Sequence, residues 1–229
     1  MIYIPPWQMK KTTAYQANFA DNDWAAIIDA CHKNQVPETW VVGNQKAMTI
    51  NGTAYAIDII GKGHDTYANG GKTPLTFQLH DCYADRKMMN GGNTNRGGWT
   101  SCDMRQTHLP AILALMPTEV QNGIQEVNKL TSEGYRSTTI STTADKLFLL
   151  SEIEIFGNIT YSASGEGTQY AYYKAGNSKV KNYNGSANYW WQRSPRIGNY
   201  TSFCAVRNSG LADYISANDV YCISFAFCF

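Results

Sequence analysis

Ala47-Met-Thr-Ile-Asn-Gly-Thr-Ala-Tyr-Ala-Ile-Asp-Ile-Ile60 decides the class of fold. Two β-rich runs, residues 47–50 and 54–60, flank Asn51-Gly52. Asn-Gly suits a two-residue hairpin, because both residues accept the positive φ of a type I′ turn. An antiparallel strand pair is therefore predicted here. Upstream, Asn22-Asp23 offers a cap to residues 24–31, where Trp24, Ile27, Ile28 and Cys31 recur at helical spacing before Pro37 closes the element. Downstream, Leu75–Leu79 reads as another strand and residues 81–99 as an Asn- and Gly-rich loop. A helix is expected over residues 101–116, kinked at Pro110. A second is expected from Pro117 to about Leu130, with Pro at its first position and Glu119 in its first turn. Residues 131–143 read as a Ser/Thr loop, 146–156 as mainly strand, and everything after Gly157 as turns and short strands. Two or three helices among short strands, with long loops late in the chain, predict an α+β fold. Residues 1–20 read as an extended lead-in and residues 21–229 as a single domain without internal repeats.

Composition narrows the function. The 229 residues carry 19 Lys and Arg against 18 Asp and Glu, a net charge of +1. No basic run is visible, so nucleic acid is an unsuitable partner: its backbone demands a positive patch to displace counterions. Only 16% of residues are charged and 13% are aromatic, which suits an ordered, loop-rich fold with a polar, aromatic surface rather than disorder. Met1-Ile-Tyr-Ile-Pro-Pro6 lacks an apolar stretch of signal-peptide length, and no run is long enough to span a bilayer. The expectation is synthesis without a secretion signal and no membrane insertion. A virion or cell surface would then be reached by assembly, with the N-terminal segment anchoring a partner or an oligomer. The six cysteines, Cys31, Cys82, Cys102, Cys204, Cys222 and Cys228, form no C-x-x-C pair and read as buried thiols.

Candidate chemistry is sparse. His64-Asp65 and His80-Asp81 are isolated dipeptides and His108 stands alone, without the clustered spacing of zinc sites. The Glu-Pro-Asn, Gln-Pro-Asp and Trp-Asn-Asp tripeptides of calcium-dependent lectins do not occur. No metal and no cofactor are expected. Glu152 and Glu154, two apart on a strand, would share a face. Such a pair can hydrolyse glycosides, but on an apolar strand it is better read as an anchor for loops. Gly165-Glu-Gly167 and the glycines near Asn90 lack the P-loop pattern. Arg193, framed by aromatics, reads as structural.

Blocks spread along the chain carry a resemblance. They are Trp40-Val-Val-Gly-Asn-Gln-Lys46, Ile59-Ile-Gly-Lys-Gly-His-Asp65, Leu75-Thr-Phe-Gln-Leu-His-Asp81, Asn95-Arg-Gly-Gly-Trp99, Asp145-Lys-Leu-Phe-Leu-Leu-Ser-Glu152 and Trp190-Trp-Gln-Arg-Ser-Pro195. They resemble an uncharacterised domain family of gut bacteria and their phages. That family is similar in fold to formylglycine-generating enzymes and to the variable proteins of diversity-generating retroelements. The resemblance implies a C-type-lectin-like fold whose C-terminal part, here residues 192–223, is diversified by error-prone copying at adenines.

One feature of the residues bears on this. Changing the first two bases of an Asn codon cannot reach Lys, Glu, Gln, Met or Trp. None of the five occurs between Arg193 and Phe229. The expected ligand-contacting positions are Arg196, Ile197, Asn199, Tyr200, Ser202, Ala205, Arg207, Asn208, Leu211, Asp213, Tyr214, Ile215, Asn218, Asp219 and Tyr221. Tyr with Ser, Gly and Asn is also the palette of antibody paratopes. Phe203, Val206, Phe225 and Phe227 read as the scaffold, with Trp190 and Trp191 packed beneath the variable stretch. The functional expectation is a non-catalytic receptor-binding or adhesion domain for a protein or glycan on a cell surface. The alternative implied by the resemblance is an oxygen-dependent cysteine-modifying enzyme of the formylglycine-generating type, using two of Cys204, Cys222 and Cys228.

Overall fold

The computed structural model describes residues 15–229, so most of the expected lead-in lies outside the described residues. Its end is not a free extension. Phe19 is buried in a short 3-10 turn, Phe19–Asp21, where its ring meets those of Trp24, Trp40 and Phe77. The expected helix is α1, Trp24–His32, capped by the Asp23 carboxylate on the Ala26 N–H and buried through Trp24, Ile27, Ala30 and Cys31. The hairpin is β1, Gln45–Ile50, and β2, Thr53–Lys62, in antiparallel register. Asn51 and Gly52 take φ of 47° and 78°, the double positive φ that the turn requires.

The main sheet contains five strands in the order β1-β2-β3-β12-β6, with β3 at Leu75–Leu79, β6 at Leu147–Phe148 and β12 at Ala226–Cys228. The end of the chain thus lies inside the sheet, and Phe77, Phe227 and Phe229 pack face and edge at its centre. A second sheet of three strands, in the order β11-β10-β9, is formed by β9 at Trp190–Pro195, β10 at Ser202–Val206 and β11 at Ala212–Ser216. The architecture is α+β, as expected.

Five expectations are corrected among the described residues. The helix of residues 101–116 is instead α2, Gly98–Ser101, a wide π turn, Met104–His108, and α3, Leu109–Leu113, with Pro110 in its first turn. The helix from Pro117 stops early: α4 covers only Thr118–Gly123, where Gly123 lies against Ile28 of α1 with no room for a Cβ. The chain then turns extended into β4, Val127–Ser132, which pairs with β5, Ile140–Asp145, so most of the supposed Ser/Thr loop is a hairpin. Residues 146–156 are mostly not strand. After β6, a capping box at Ser151 and Glu154 starts α5, Glu152–Phe156. After Gly157, where only turns and short strands were expected, a further short helix, α6, covers Ala171–Lys174, and β7, Lys181–Tyr183, pairs with β8, Ser186–Asn188.

A buried ionic chain joins the two sheets. Arg193 of β9 is fully buried and holds both oxygens of Glu154, at 2.5 and 2.9 Å. Glu154 lies 2.9 Å from Lys129 of β4, which reaches Asp65 at 2.8 Å and the Tyr170 hydroxyl at 3.1 Å. Two cations thus meet two anions, the balance a buried network needs. Burial alone would raise the Asp65 carboxyl, but Lys129 and Thr76 hold it at about 2. Burial likewise opposes ionisation of Glu154, and Arg193 with Lys129 overrides it. Arg193 is therefore structural, as its sequence context suggested.

Candidate ligand-binding site

Asn95 is completely buried between two exposed turns. Its amide donates to the carbonyls of Arg196, Asn199 and Ser202, at 3.2, 3.2 and 2.9 Å. Its side-chain oxygen accepts from the Tyr135 N–H at 2.9 Å, and its backbone N–H donates to the Tyr200 carbonyl at 2.8 Å. One side chain thereby fixes the loop after β9 against the turn between β4 and β5. The fit is close: a Cβ on Gly134 would collide with the Asn95 carbonyl, and one on Gly98 with the Ser132 carbonyl.

The β4–β5 turn is strained. Gly134, Tyr135 and Arg136 have consecutive positive φ values of 70°, 54° and 68°. For Tyr and Arg this conformation costs about 1–2 kcal/mol each. It projects their side chains into a layered ledge with residues from two other segments. The Arg96 guanidinium lies 3.9 Å over the Tyr135 ring, Tyr135 packs on Tyr200 with centroids 4.4 Å apart, and Arg136 lies 4.4 Å over Tyr200. Tyr135 and Tyr200 remain 45% and 39% exposed, large areas for aromatic side chains. Neither guanidinium forms a salt bridge among the described residues. Beside the ledge opens a cleft of about 440 Å³, lined by Arg96, Thr100, Ser101, Glu133, Tyr135, Ser137 and Ser141 with the backbone of Gly97 and Gly134.

The expected contact residues divide into groups. Arg196, Ile197, Asn199 and Tyr200 form the loop held by Asn95, all partly or well exposed. Arg196 extends this surface by stacking 3.5 Å over Tyr214, which meets Tyr161. Asp213 belongs elsewhere: β10 pairs Cys204 with Tyr214 and Ala205 with Asp213, so Tyr214 and Asp213 project to opposite faces of β11. Asp213 binds Arg207 at 2.6 Å, near exposed Asn208 and Leu211 at the tip of the β10–β11 hairpin. Asn218 and Asp219 are exposed in the following turn, and Tyr221 rests against Tyr189 and Trp191. Ser202, Ala205 and Ile215 are corrected outright. All three are buried, Ala205 facing Trp191 and Ile215 facing Phe203 across the sheet, so they belong to the scaffold. Phe203, Val206, Phe225, Phe227, Trp190 and Trp191 are buried as expected.

Other chemistries find less support in the geometry. His64, Asp65 and Glu154 bring ligand atoms within 4.8 Å of one another, but the Lys129 ammonium already bridges the two carboxylates. A metal ion would have to displace it. His80 binds Asp58 at 2.8 Å, a hydrogen bond that raises its pKa. Glu152 and Glu154 lie on α5 rather than on a strand. Glu152 accepts from the N–H groups of Tyr161 and Ser162 while Glu154 grips Arg193, so the pair anchors structure and offers no shared catalytic face. The six cysteines are buried thiols. Burial, then the Glu152 and Glu166 charges, push Cys204 far up; burial, then Asp65, do the same to Cys228, so neither is a thiolate at neutral pH. Cys222 is drawn down by hydrogen bonding to Cys82, whose own thiol is pushed up. The late cysteines therefore sit in separate surroundings.

Sequence reasoning missed Asn95, Arg96, Tyr135 and Arg136. The available signal was Asn95-Arg-Gly-Gly-Trp99, where paired glycines mark close backbone approach. Residues 75–228 match the model of a domain of unknown function, DUF6273. No curated protein and no solved structure matches the chain.

Proposed function

Because the chain belongs to the DUF6273 family of domains of unknown function, we propose its function from the surface it builds: it is a non-catalytic ligand-binding domain that displays the loop after β9. In this reading the fold is C-type-lectin-like, the setting is a phage or bacterial surface, and the chain is a variable protein of a diversity-generating retroelement. The ligand is a protein or glycan on a cell surface. The observation that carries the proposal is the exposed Arg96–Tyr135–Tyr200–Arg136 ledge on a buried, fully hydrogen-bonded Asn95. Tyr and Arg are the residue types that dominate binding energy at interfaces, and here their rotamers are restrained before any ligand arrives. The strained turn supports the same reading, since bulky residues at positive φ concentrate where structure is held for binding. The palette after Arg193, which lacks every residue type out of reach of a mutated Asn codon, supports diversification of the displayed loop.

The test is binding of the fluorescently labelled chain to a panel of intact gut bacterial cells. Wild type is expected to label a subset of strains, and Tyr200→Ser to lose at least tenfold in labelling, the effect of about 1.4 kcal/mol at an aromatic anchor. Labelling of no strain, or equal labelling by Tyr200→Ser, would refute the proposal.

A further inference from the structure

We propose that the cleft beside the ledge binds an acidic saccharide, through the Arg96 guanidinium and the hydroxyl-lined wall. The inference rests on the ligand-display reading and names the ligand class of that same surface. Three observations carry it.

The first is the state of the two arginines. The Arg96 guanidinium lies 3.9 Å over the Tyr135 ring and the Arg136 guanidinium 4.4 Å over the Tyr200 ring, and of the two Arg96 lines the cleft. A stacked guanidinium is pre-oriented for bidentate contact with a carboxylate or sulfate, and less entropy is lost on binding. Elsewhere on the surface Arg207 is already held by Asp213 at 2.6 Å, whereas among the described residues Arg96 and Arg136 have no carboxylate partner.

The second is the lining. Thr100, Ser101, Ser137 and Ser141 line it with hydroxyls, of which Thr100 and Ser141 bond each other at 3.2 Å and Ser137 accepts from the Thr139 N–H, each keeping further hydrogen-bonding capacity, and Glu133 adds an acceptor. A ligand rich in hydroxyl groups can satisfy such a wall. An extended acidic peptide, with one donor and one acceptor per residue, fits this lining less well. Glu133 accepts from sugar hydroxyls while Arg96 holds the acidic group. The cleft, at about 440 Å³, is of a size for a small ligand such as a disaccharide.

The third is rigidity. The turn that carries Tyr135 and Arg136 holds its left-handed conformation through the Asn95 and Gly134 contacts, so the cleft is formed without ligand. Tyr200 contributes one wall of the ledge from the displayed loop. A change at that position would remove the ring beneath Arg136 while Arg96, held over Tyr135, stays at the cleft.

The experiment titrates the full chain with four probes: 3′-sialyllactose, 3′-sulfolactose, lactose and hexaglutamate, read by calorimetry. Expected is binding of one or both acidic sugars, with lactose and hexaglutamate at least tenfold weaker. The sialyl and sulfo arms identify whether carboxylate or sulfate is preferred. Arg96→Ala should weaken the acidic sugar at least tenfold, and Arg96→Lys should recover only part, because a lysine lacks the planar fork. Arg207→Ala, at the far hairpin tip, should bind as wild type. Thermal melting of each variant controls for folding. Lactose binding as tightly as the acidic sugars, hexaglutamate binding as tightly, or binding of no probe at 10 mM would each overturn the inference. If no probe binds while bacterial labelling is still lost in Tyr200→Ser, the saccharide inference alone fails. If labelling is also absent in wild type, the display reading fails with it.

Discussion

Replacing Asn95 with alanine tests whether one buried amide holds the candidate site together. The side chain accepts from the Tyr135 N–H and donates to the carbonyls of Arg196, Asn199 and Ser202. Its two amide protons can fully serve two of those three carbonyls, so truncation abandons about three hydrogen bonds in a buried position. At roughly 1 kcal/mol each, the loss is about 3 kcal/mol. For a domain of this size that lowers the melting temperature by roughly 6–12 °C. Asn95→Asp sharpens the test. It keeps an acceptor for Tyr135 but turns a carboxylate oxygen towards three carbonyls, so it should destabilise at least as much as alanine. Urea midpoints followed by tryptophan fluorescence give the stabilities, and amide hydrogen exchange at Tyr135 and Ser202 reports the local effect. A loss below about 0.5 kcal/mol for Asn95→Ala, or wild-type stability in Asn95→Asp, would refute the reasoning.

Three further outcomes are expected. The Asp65 carboxyl is held at about 2 against an ordinary 3.8. Its folded-state pKa is depressed, so its stabilisation is present above about pH 4 and is lost as pH falls towards 2. Between pH 4.5 and 2.5 the wild type should lose roughly 1.5 kcal/mol more than Asp65→Asn in urea titrations, and parallel losses would remove Asp65 from the account. Leu211 is 60% exposed and Phe225 fully buried. Leu211→Ser should therefore change stability by no more than about 0.5 kcal/mol and Phe225→Ala by roughly 3–5 kcal/mol, and equal midpoints would contradict the scaffold assignment. The buried amide of Gln192 has no hydrogen-bond partner among the described residues. Gln192→Leu should consequently be neutral or stabilising by up to about 1 kcal/mol, and a loss greater than that in the urea midpoint would show that the amide is satisfied in solution.

The parts of the fold legible in the sequence are those decided locally. Asn51-Gly52 fixes a hairpin through its own backbone preferences, and Asp23 caps α1 with its own carboxylate. The strand β4 was hidden because its inward residues Lys129 and Thr131 are polar, facing Asp65 and Glu166, so no alternating apolar pattern marks it. The start of α5 was written in Ser151-Glu152-Ile-Glu154, a capping box, but the apolar run around it reads as strand. The candidate site was half legible. Arg196 and Tyr200 stand in a segment of unusual palette. Arg96, Tyr135 and Arg136 come from other parts of the chain, and only Asn95 and the left-handed turn bring them together.

The second sheet also limits what a diversified segment can change, and this gives a prediction about variation itself. Ala205 faces Trp191 on one side and Asp213 on the other, and Ile215 faces Phe203. Adding methylenes at Ala205 would overpack a filled interior by roughly 1–3 kcal/mol, and shortening Ile215 would leave a cavity costing a similar amount or more. Ser202 offers its carbonyl to Asn95 and its hydroxyl to the Asn199 amide, so its place is set by the loop it closes. By contrast Tyr200, Arg207, Leu211 and Asp219 are exposed, and Arg196, Ile197, Asp213 and Tyr221 are partly so. If copying at adenines diversifies this gene, sister copies should differ at those eight positions and keep Ser202, Ala205 and Ile215 small or apolar as they stand. Sequencing the copies, together with any near-repeat of the last coding segment beside a reverse transcriptase, decides the matter. Differences spread evenly along residues 15–229, or as frequent at Ala205 as at Leu211, would mean that the segment is an ordinary part of the domain.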